Sequence, residues 1–438
     1  MGFDEARHLL SRTAFGATPA EIRALETLDY TRAVDRLLAT FRPQAATPAP
    51  DWVNQGPTAA VREQAHELRS WWIEEMLATD QPLVERMALF WHNHFTSSLQ
   101  KVRYAPAMFR QNALFRREAF GNFARLLKEV ARDPAMLIYL DGVRSAARQP
   151  NENFAREMLE LFTLGEGHYG EADVKEAARA FTGWTIDHET GVFKVAGERH
   201  DDGEKTFLGR TGRFDGDDVI AILLEHPRTA ETVVEKLWRE FVSLMPDRGE
   251  IKQLAGLLRR GGYEIKPVLR ALFLSPAFRD RANRGALIKS PVDLVVGTVH
   301  VLGLPVPEKT RLVRMLQGLG QVPFDQPDVR GWPGGESWIT SYTLLLRQQF
   351  LRRIVEATTV SSMGGDAGEQ MMEMRPIEGR SLRDAAAEAR LGPTLRGVDA
   401  ATLTRTLLPR RPIDVVDGNG TPGAIVAAAL LDTAYQLK

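Results

Sequence analysis

Cysteine is absent from this chain of 438 residues. That excludes disulfides and thiolate-held zinc, and it leaves the compartment undecided. A charge excess of one sign is missing too. The 56 Lys and Arg face 57 Asp and Glu, for a formal net charge of -1. No overall field steers the molecule toward nucleic acid or anionic lipid, so no nucleic-acid partner is expected. No apolar run approaches the roughly 20 residues of a membrane span. The start, Met1 to Arg7, lacks the basic-then-apolar pattern of a signal peptide. As written the chain reads as cytoplasmic, or as periplasmic or secreted if a leader was removed. Phosphate loop, dinucleotide fingerprint, serine elbow and His-Glu-x-x-His zinc helix are all missing, so no nucleotide or redox cofactor is expected.

What is present is globular composition, 44% hydrophobic and 26% charged, enough apolar surface for a large core. Helical periodicity dominates. It predicts helices over 19–40, 58–79, 81–95, 104–132, 151–163, 171–182, 217–244, 248–274, 291–317 and 336–357. Thr18-Pro19 ahead of Glu21, and Asp215 ahead of Asp218, are N-cap patterns, and Gly165 suits a C-terminal cap. One β signal lies near 191–209, where Gly191–Val195 and Lys205–Leu208 flank a polar turn and predict a single small hairpin. Gln321 to Gly335 is too rich in Pro and Gly for helix. The expected class is therefore mainly α, a multi-helix globular bundle with one β-hairpin insertion. A main domain would cover 1–361, a flexible connector 362–380, and a C-terminal helical segment 381–438 would dock back on the body.

Two polar clusters interrupt apolar helices. The first is Phe90-Trp91-His92-Asn93-His94-Phe95. At roughly 100° per residue, Leu83, Met87, Phe90, Trp91 and His94 share one arc while Glu85 and His92 lie opposite. His94 then sits within an apolar face, either as a buried general base or single metal ligand, or as a core histidine bonded to structure. His92 reads as a surface or cleft residue. The two imidazoles cannot chelate one ion while the segment is helical.

The second cluster runs from Pro150 to Gly165. Phe154, Met158, Leu161 and Phe162 form its apolar arc. Asn153, Arg156, Glu157 and Glu160 form a polar stripe into which Leu164 intrudes. Glu157 and Glu160, at i and i+3, can hold a cation or split their pKa values between acid and base duties. The same spacing also suits an ordinary exposed ladder, with Glu152, Arg156 and Glu160 paired at i, i+4.

His168 follows this helix closely. Trp184, with Asp187 and His188 after it, and Trp332 in its Gly-rich loop are either platforms for a sugar or peptide or anchors pinning loops to the core. His200-Asp201-Asp202 reads as a solvated hairpin tip. Lys175, Arg179, His226, Lys236 and Arg239 read as ordinary helix-face residues.

Several stretches resemble one bacterial family, catalogued as domain of unknown function 1800. They are His8-Leu9-Leu10 through Phe15-Gly16, Glu85-Arg86-Met87 through Phe95, Asn151 through Gly165, Ala177 through Trp184, and Gly331-Trp332-Pro333-Gly334-Gly335. The resemblance implies a mainly helical bacterial protein, with members that often look exported. It carries no reaction, cofactor or catalytic residue.

From the residues, the leading expectation is a hydrolase or lyase acting on an extended substrate such as a glycan or peptide. His94, Glu157, Glu160 and His168 would supply acid–base groups. Arg156, Trp184, Asp187 and Trp332 would bind substrate. A divalent metal, if used, would draw on His92, His94, Glu157 and Glu160. A glycosidase would take one carboxylate from elsewhere, Asp187 or Asp201. The alternative is a non-catalytic scaffold that binds another protein.

Overall fold

A computed structural model describes residues 1–39, 41–56, 61–187, 189–305, 309–360, 393–395, 397–414 and 420–438. The expected connector at 362–380, and His188, lie outside the described residues. Helices run in the order α1 (Phe3–Thr13), α2 (Pro19–Glu26), α3 (Tyr30–Ala39), α4 (Val61–Ala78), α5 (Pro82–His94), α6 (Leu99–Val102), α7 (Ala105–Arg117), α8 (Phe123–Ala131), α9 (Pro134–Tyr139), α10 (Glu152–Glu160) and α11 (Glu171–Ala180). Four short strands follow: β1 (Trp184–Ile186), β2 (Phe193–Val195), β3 (Lys205–Phe207) and β4 (Arg210–Gly212). Then come α12 (Gly216–Glu225), α13 (Pro227–Phe241), α14 (Arg248–Arg260), α15 (Ile265–Leu274), α16 (Pro276–Arg279), α17 (Pro291–Leu302), α18 (Lys309–Leu319) and α19 (Ser341–Val360). The fold is mainly α, with a small β insertion.

Several long predicted helices are pairs. Residues 217–244 break where Pro227 cannot continue the helix, and the His226 side chain caps the second half by accepting from Arg228 N at 3.2 Å. Residues 248–274 break at Gly261-Gly262. Residues 104–132 break at Gly121, after which Asn122 caps α8. Residues 291–317 break at Gly303, which takes a left-handed conformation. The β region also differs from the single predicted hairpin. β2 pairs with β1 and β3 with β4, both antiparallel, so the two predicted strands are not partners. Each instead finds the nearer segment, which closes a shorter loop. Between them, His200 and Asp201 are not a free tip. Asp201 holds Arg179 at 2.7 Å, and His200 Nδ1 meets Thr182 O at 2.9 Å.

Buried apolar residues from Phe3 to Tyr435 form one contiguous core. Helices Ala400–Leu407 and Pro422–Leu431 pack on each other, the first also on α2 and the second on α19. Beyond them Leu437 bridges Ile288 antiparallel.

Helix α5 runs through this core. Every residue from Leu83 to His92 is buried, with His94. Its polar residues must therefore be met from other helices. Glu85 accepts from Arg116 Nε at 2.5 Å and from Trp72 Nε1 at 2.8 Å. Arg86 binds Glu240 at 2.8 Å, together with Asp293 and the Ala14 carbonyl. The face expected to meet solvent is thus buried too, and His92 is a core residue, 1% exposed.

Candidate functional site

The end of α5 is a three-residue grip. His92 Nε2 accepts from Phe324 N at 3.1 Å, and the His92 carbonyl accepts from Gln326 Nε2 at 2.6 Å. Asn93 brackets the Trp332 peptide: Oδ1 accepts from Trp332 N at 2.7 Å and Nδ2 donates to Trp332 O at 3.3 Å. A Cβ at Gly331 would collide with the Asn93 side chain, so this close approach needs glycine there. His94 Nδ1 meets Lys236 Nζ of α13 at 3.0 Å, and that ammonium also donates to Leu161 O at 2.7 Å. Three consecutive side chains thus fasten two points of the 321–335 loop and helix α13 to the core helix.

Both imidazoles are neutral. Burial alone pushes His92 down to about 3. Burial, then the Lys236 charge, holds His94 well below its usual range. Lys236 donates to Nδ1, so the network assigns the His94 proton to Nε2. That nitrogen makes no hydrogen bond and lies among the rings of Phe90, Trp91, Phe123 and Phe162. Lys236, read from sequence as a helix-face residue, is itself pushed down to about 8, by burial and then by Arg239.

The stripe on α10 is different. Glu157 is 7% exposed, and its carboxyl makes no hydrogen bond or ion pair among the described residues. Burial raises it to about 7, with Glu160 and Asp328 adding repulsion and Arg156 and Arg330 opposing. Tyr139 of α9 is also buried, and its hydroxyl has no hydrogen-bond partner among the described residues. Burial, with the charges of Asp328 and Glu157, pushes it up to about 12. Glu160 is half-buried and accepts from Tyr169 Oη at 2.6 Å. Arg156 turns outward to Glu171, in a two-pronged pair at 2.7 and 2.8 Å, with Glu152 at 3.8 Å. The expected Arg156–Glu160 rung is replaced by this longer-range pair. Asp328 and Arg330, in the Pro- and Gly-rich loop, are exposed.

The remaining candidates scatter. His168 is exposed. Trp184 is buried against Phe181 and Phe193, with Arg132 over its ring. Trp332 is 4% exposed, and its Nε1 is buried without a partner. Asp187 organises its own turn. It accepts from Glu189 N at 3.1 Å and Thr190 N at 3.0 Å and pairs with Lys194 at 3.1 Å, contacts that hold it below the usual carboxylate range.

No group of three or more His, Asp or Glu placed to hold a metal occurs among the described residues. His92 and His94 point to different partners, and neither meets Glu157. Sequence reasoning missed Tyr139, Asp328 and Arg330. No periodicity links residues this far apart, and only the break-rich loop hinted that distant segments meet there. No helix is long and apolar enough to cross a membrane among the described residues.

A family model described as "Protein of unknown function (DUF1800)" matches residues 8–437. No curated protein and no solved structure matches the chain.

Proposed function

This chain belongs to the DUF1800 family of proteins of unknown function, and from its side chains we propose a hydrolase or lyase whose acid–base centre is Glu157 with Glu160. The observation that carries this reading is a nearly buried carboxyl with no hydrogen-bond or ion-pair partner among the described residues, in a setting whose burial pushes it up to about 7. A carboxyl so placed has little structural use, and it is protonated often enough near neutrality to act as a general acid. Glu160 shares its helix face one turn on, roughly 5–6 Å away between Cβ atoms. In hydrolysis of a peptide bond Glu157 would give its proton to the leaving nitrogen, while the Glu160 carboxylate takes one from the attacking water; on a glycan the second carboxylate would come from elsewhere, because this pair is too close for a base that activates water. The balance is addition of water across one bond. In elimination the same pair would remove one proton and return another.

The exposed flanks, Asp328 and Arg330, suit a substrate lying across the surface, a glycan or peptide chain. Trp184 and Trp332 are buried and supply no platform for it. His94 enters as a positioning residue through Lys236 and the Leu161 carbonyl, at the end of α10.

The test has two parts. Carboxyl titration of Glu157 by isotope-edited infrared or NMR should give an inflection near 7, and one at 4–5 would overturn the reading. Wild type and Glu157→Gln are then compared on glycan and peptide polymers. The variant should keep its fold and lose about 10²–10⁴-fold of any turnover; unchanged turnover would overturn it as well.

A second reading, a non-catalytic scaffold, is favoured by one observation: His92, Asn93 and His94 are all engaged in holding segments together.

A further inference from the structure

A second buried polar region lies at the other end of α5, about 12 Å along its axis from His94 at 1.5 Å per residue. Around Asp293, Arg86 and Lys438 match the two nearby carboxylates. Lys438 Nζ meets Asp293 at 2.6 Å and Glu240 at 4.0 Å, and Arg86 meets both as described. That matching leaves four cations with no carboxylate partner among the described residues: Arg7, Arg12, Lys289 and Arg347. Arg7 is 6% exposed and has a single long contact, to Pro409 O at 3.5 Å. Arg12 is fully buried, and its Nε and Nη1 have no partner. Arg347 binds the Gln436 amide and the Lys289 carbonyl, and its Nε is left bare. Lys289 Nζ makes no hydrogen bond among the described residues and lies 3.4 Å from the centre of the Tyr435 ring.

Arg7, Ser11, Lys289, Asp293, Tyr435 and Lys438 line one cavity of about 40 Å³. About 10–15 Å³ on this scale admits one water, so there is room for roughly three waters or one small oxyanion. Burial of unmatched charge costs several kcal/mol per ion. Lysine can shed its proton, and burial pushes Lys289 down to about 7. Arginine keeps its proton, so Arg7, which lines the cavity and has no carboxylate within 4 Å among the described residues, carries a charge that a bound anion would match.

We infer that this cavity binds a tetrahedral oxyanion, a phosphate or sulfate group, through Arg7 and Lys289, with Ser11, whose hydroxyl donates to the His8 carbonyl at 2.8 Å, lining the wall. Donors reach it from two elements, α1 and the segment before α17. Such a spread suits a tetrahedral anion better than a flat carboxylate. Asp293 also faces the cavity, but Arg86 and Lys438 already neutralise it. The volume admits the anionic group alone, either as the free ion or as the end of a monoester. This site shares no residue with the Glu157 centre and stands or falls separately from it.

The full-length chain is tested by calorimetric titration and thermal melting in inorganic phosphate, sulfate, acetate and chloride at equal ionic strength. Phosphate or sulfate should bind and raise Tm by about 2–4 °C at saturation, with acetate and chloride inert. Lys289→Met and Arg7→Met should each weaken binding at least tenfold without loss of fold by circular dichroism. Glycerol phosphate matching phosphate would identify a terminal phosphoryl group as the ligand, and phosphate alone would identify the free ion. No shift beyond chloride, an equal shift with acetate, or full binding in both variants would overturn the site.

Discussion

The end of α5 and the stripe on α10 look alike as sequences, each placing ionisable groups beside large apolar ones, yet they use burial in opposite ways. At His92 and His94 burial removes charge, and the neutral rings are spent on fastening Phe324 and Lys236. At Glu157 burial leaves a carboxyl without a partner and near neutrality. A polar residue in an apolar helix is therefore ambiguous until its hydrogen bonds are counted. His92 and His94 each make a side-chain bond that holds another segment, whereas the Glu157 carboxyl makes none among the described residues.

The sharpest way to test the structural half is to remove a charge from the core helix. Glu85→Ala leaves Arg116 buried and unpaired and should cost about 3–5 kcal/mol by denaturant unfolding. A loss below about 1 kcal/mol would mean that α5 is not the central strut described here. Next, Asn93→Ala frees the Trp332 peptide and should cost about 1–3 kcal/mol, with the 321–335 loop gaining hydrogen exchange ahead of the rest.

The two regions should also answer pH with opposite signs. His92 titrates at about 3 when folded and near 6.5 when unfolded. Below pH 6.5 the unfolded chain takes a proton that the fold refuses, so stability falls as pH drops, by up to about 1.4 kcal/mol per pH unit. Relative to wild type, His92→Gln should therefore look about 2 kcal/mol better at pH 5 than at pH 7. Glu157 runs the other way. Its folded value, about 7, lies above its unfolded one. The fold retains a proton that the unfolded chain gives up, so wild type loses stability as pH rises from about 4.5 to 7. Glu157→Gln should match wild type at pH 4 and exceed it by on the order of 3 kcal/mol at pH 8. Thermal melts across this range check both signs, and parallel curves for the two variants would erase the contrast. The smallest effect belongs to Arg156→Ala. Its pair with Glu171 is largely exposed, and its loss should stay within about 0.5 kcal/mol.

Much of the architecture is legible along the chain, because helix periodicity and capping are local. The α10 helix starts at the Asn151 cap, and α12 starts at the Asp215 cap that its spacing announces. Breaks inside long periodic stretches are less legible. At His226-Pro227 and Gly261-Gly262 the apolar rhythm continues through a turn. The β region misled because strand pairing is a choice among partners, and adjacent chain competes best. In the site, Glu157 and Glu160 are visible as a pair, but the wheel that put His92 outside failed. It assumes that one face meets water, and α5 has no such face.

By itself the sequence determined most of the helical segments, with α1, α6, α9 and α16 outside the predicted spans, and that carboxylates and aromatic rings lie close together along α10, since these depend on neighbours within a few residues. Only the tertiary structure decided which polar groups have partners. That depends on segments from Arg86 to Lys438 arriving at one place, and hydrogen bonds and buried charge are settled by distance in space, which the order of residues does not contain.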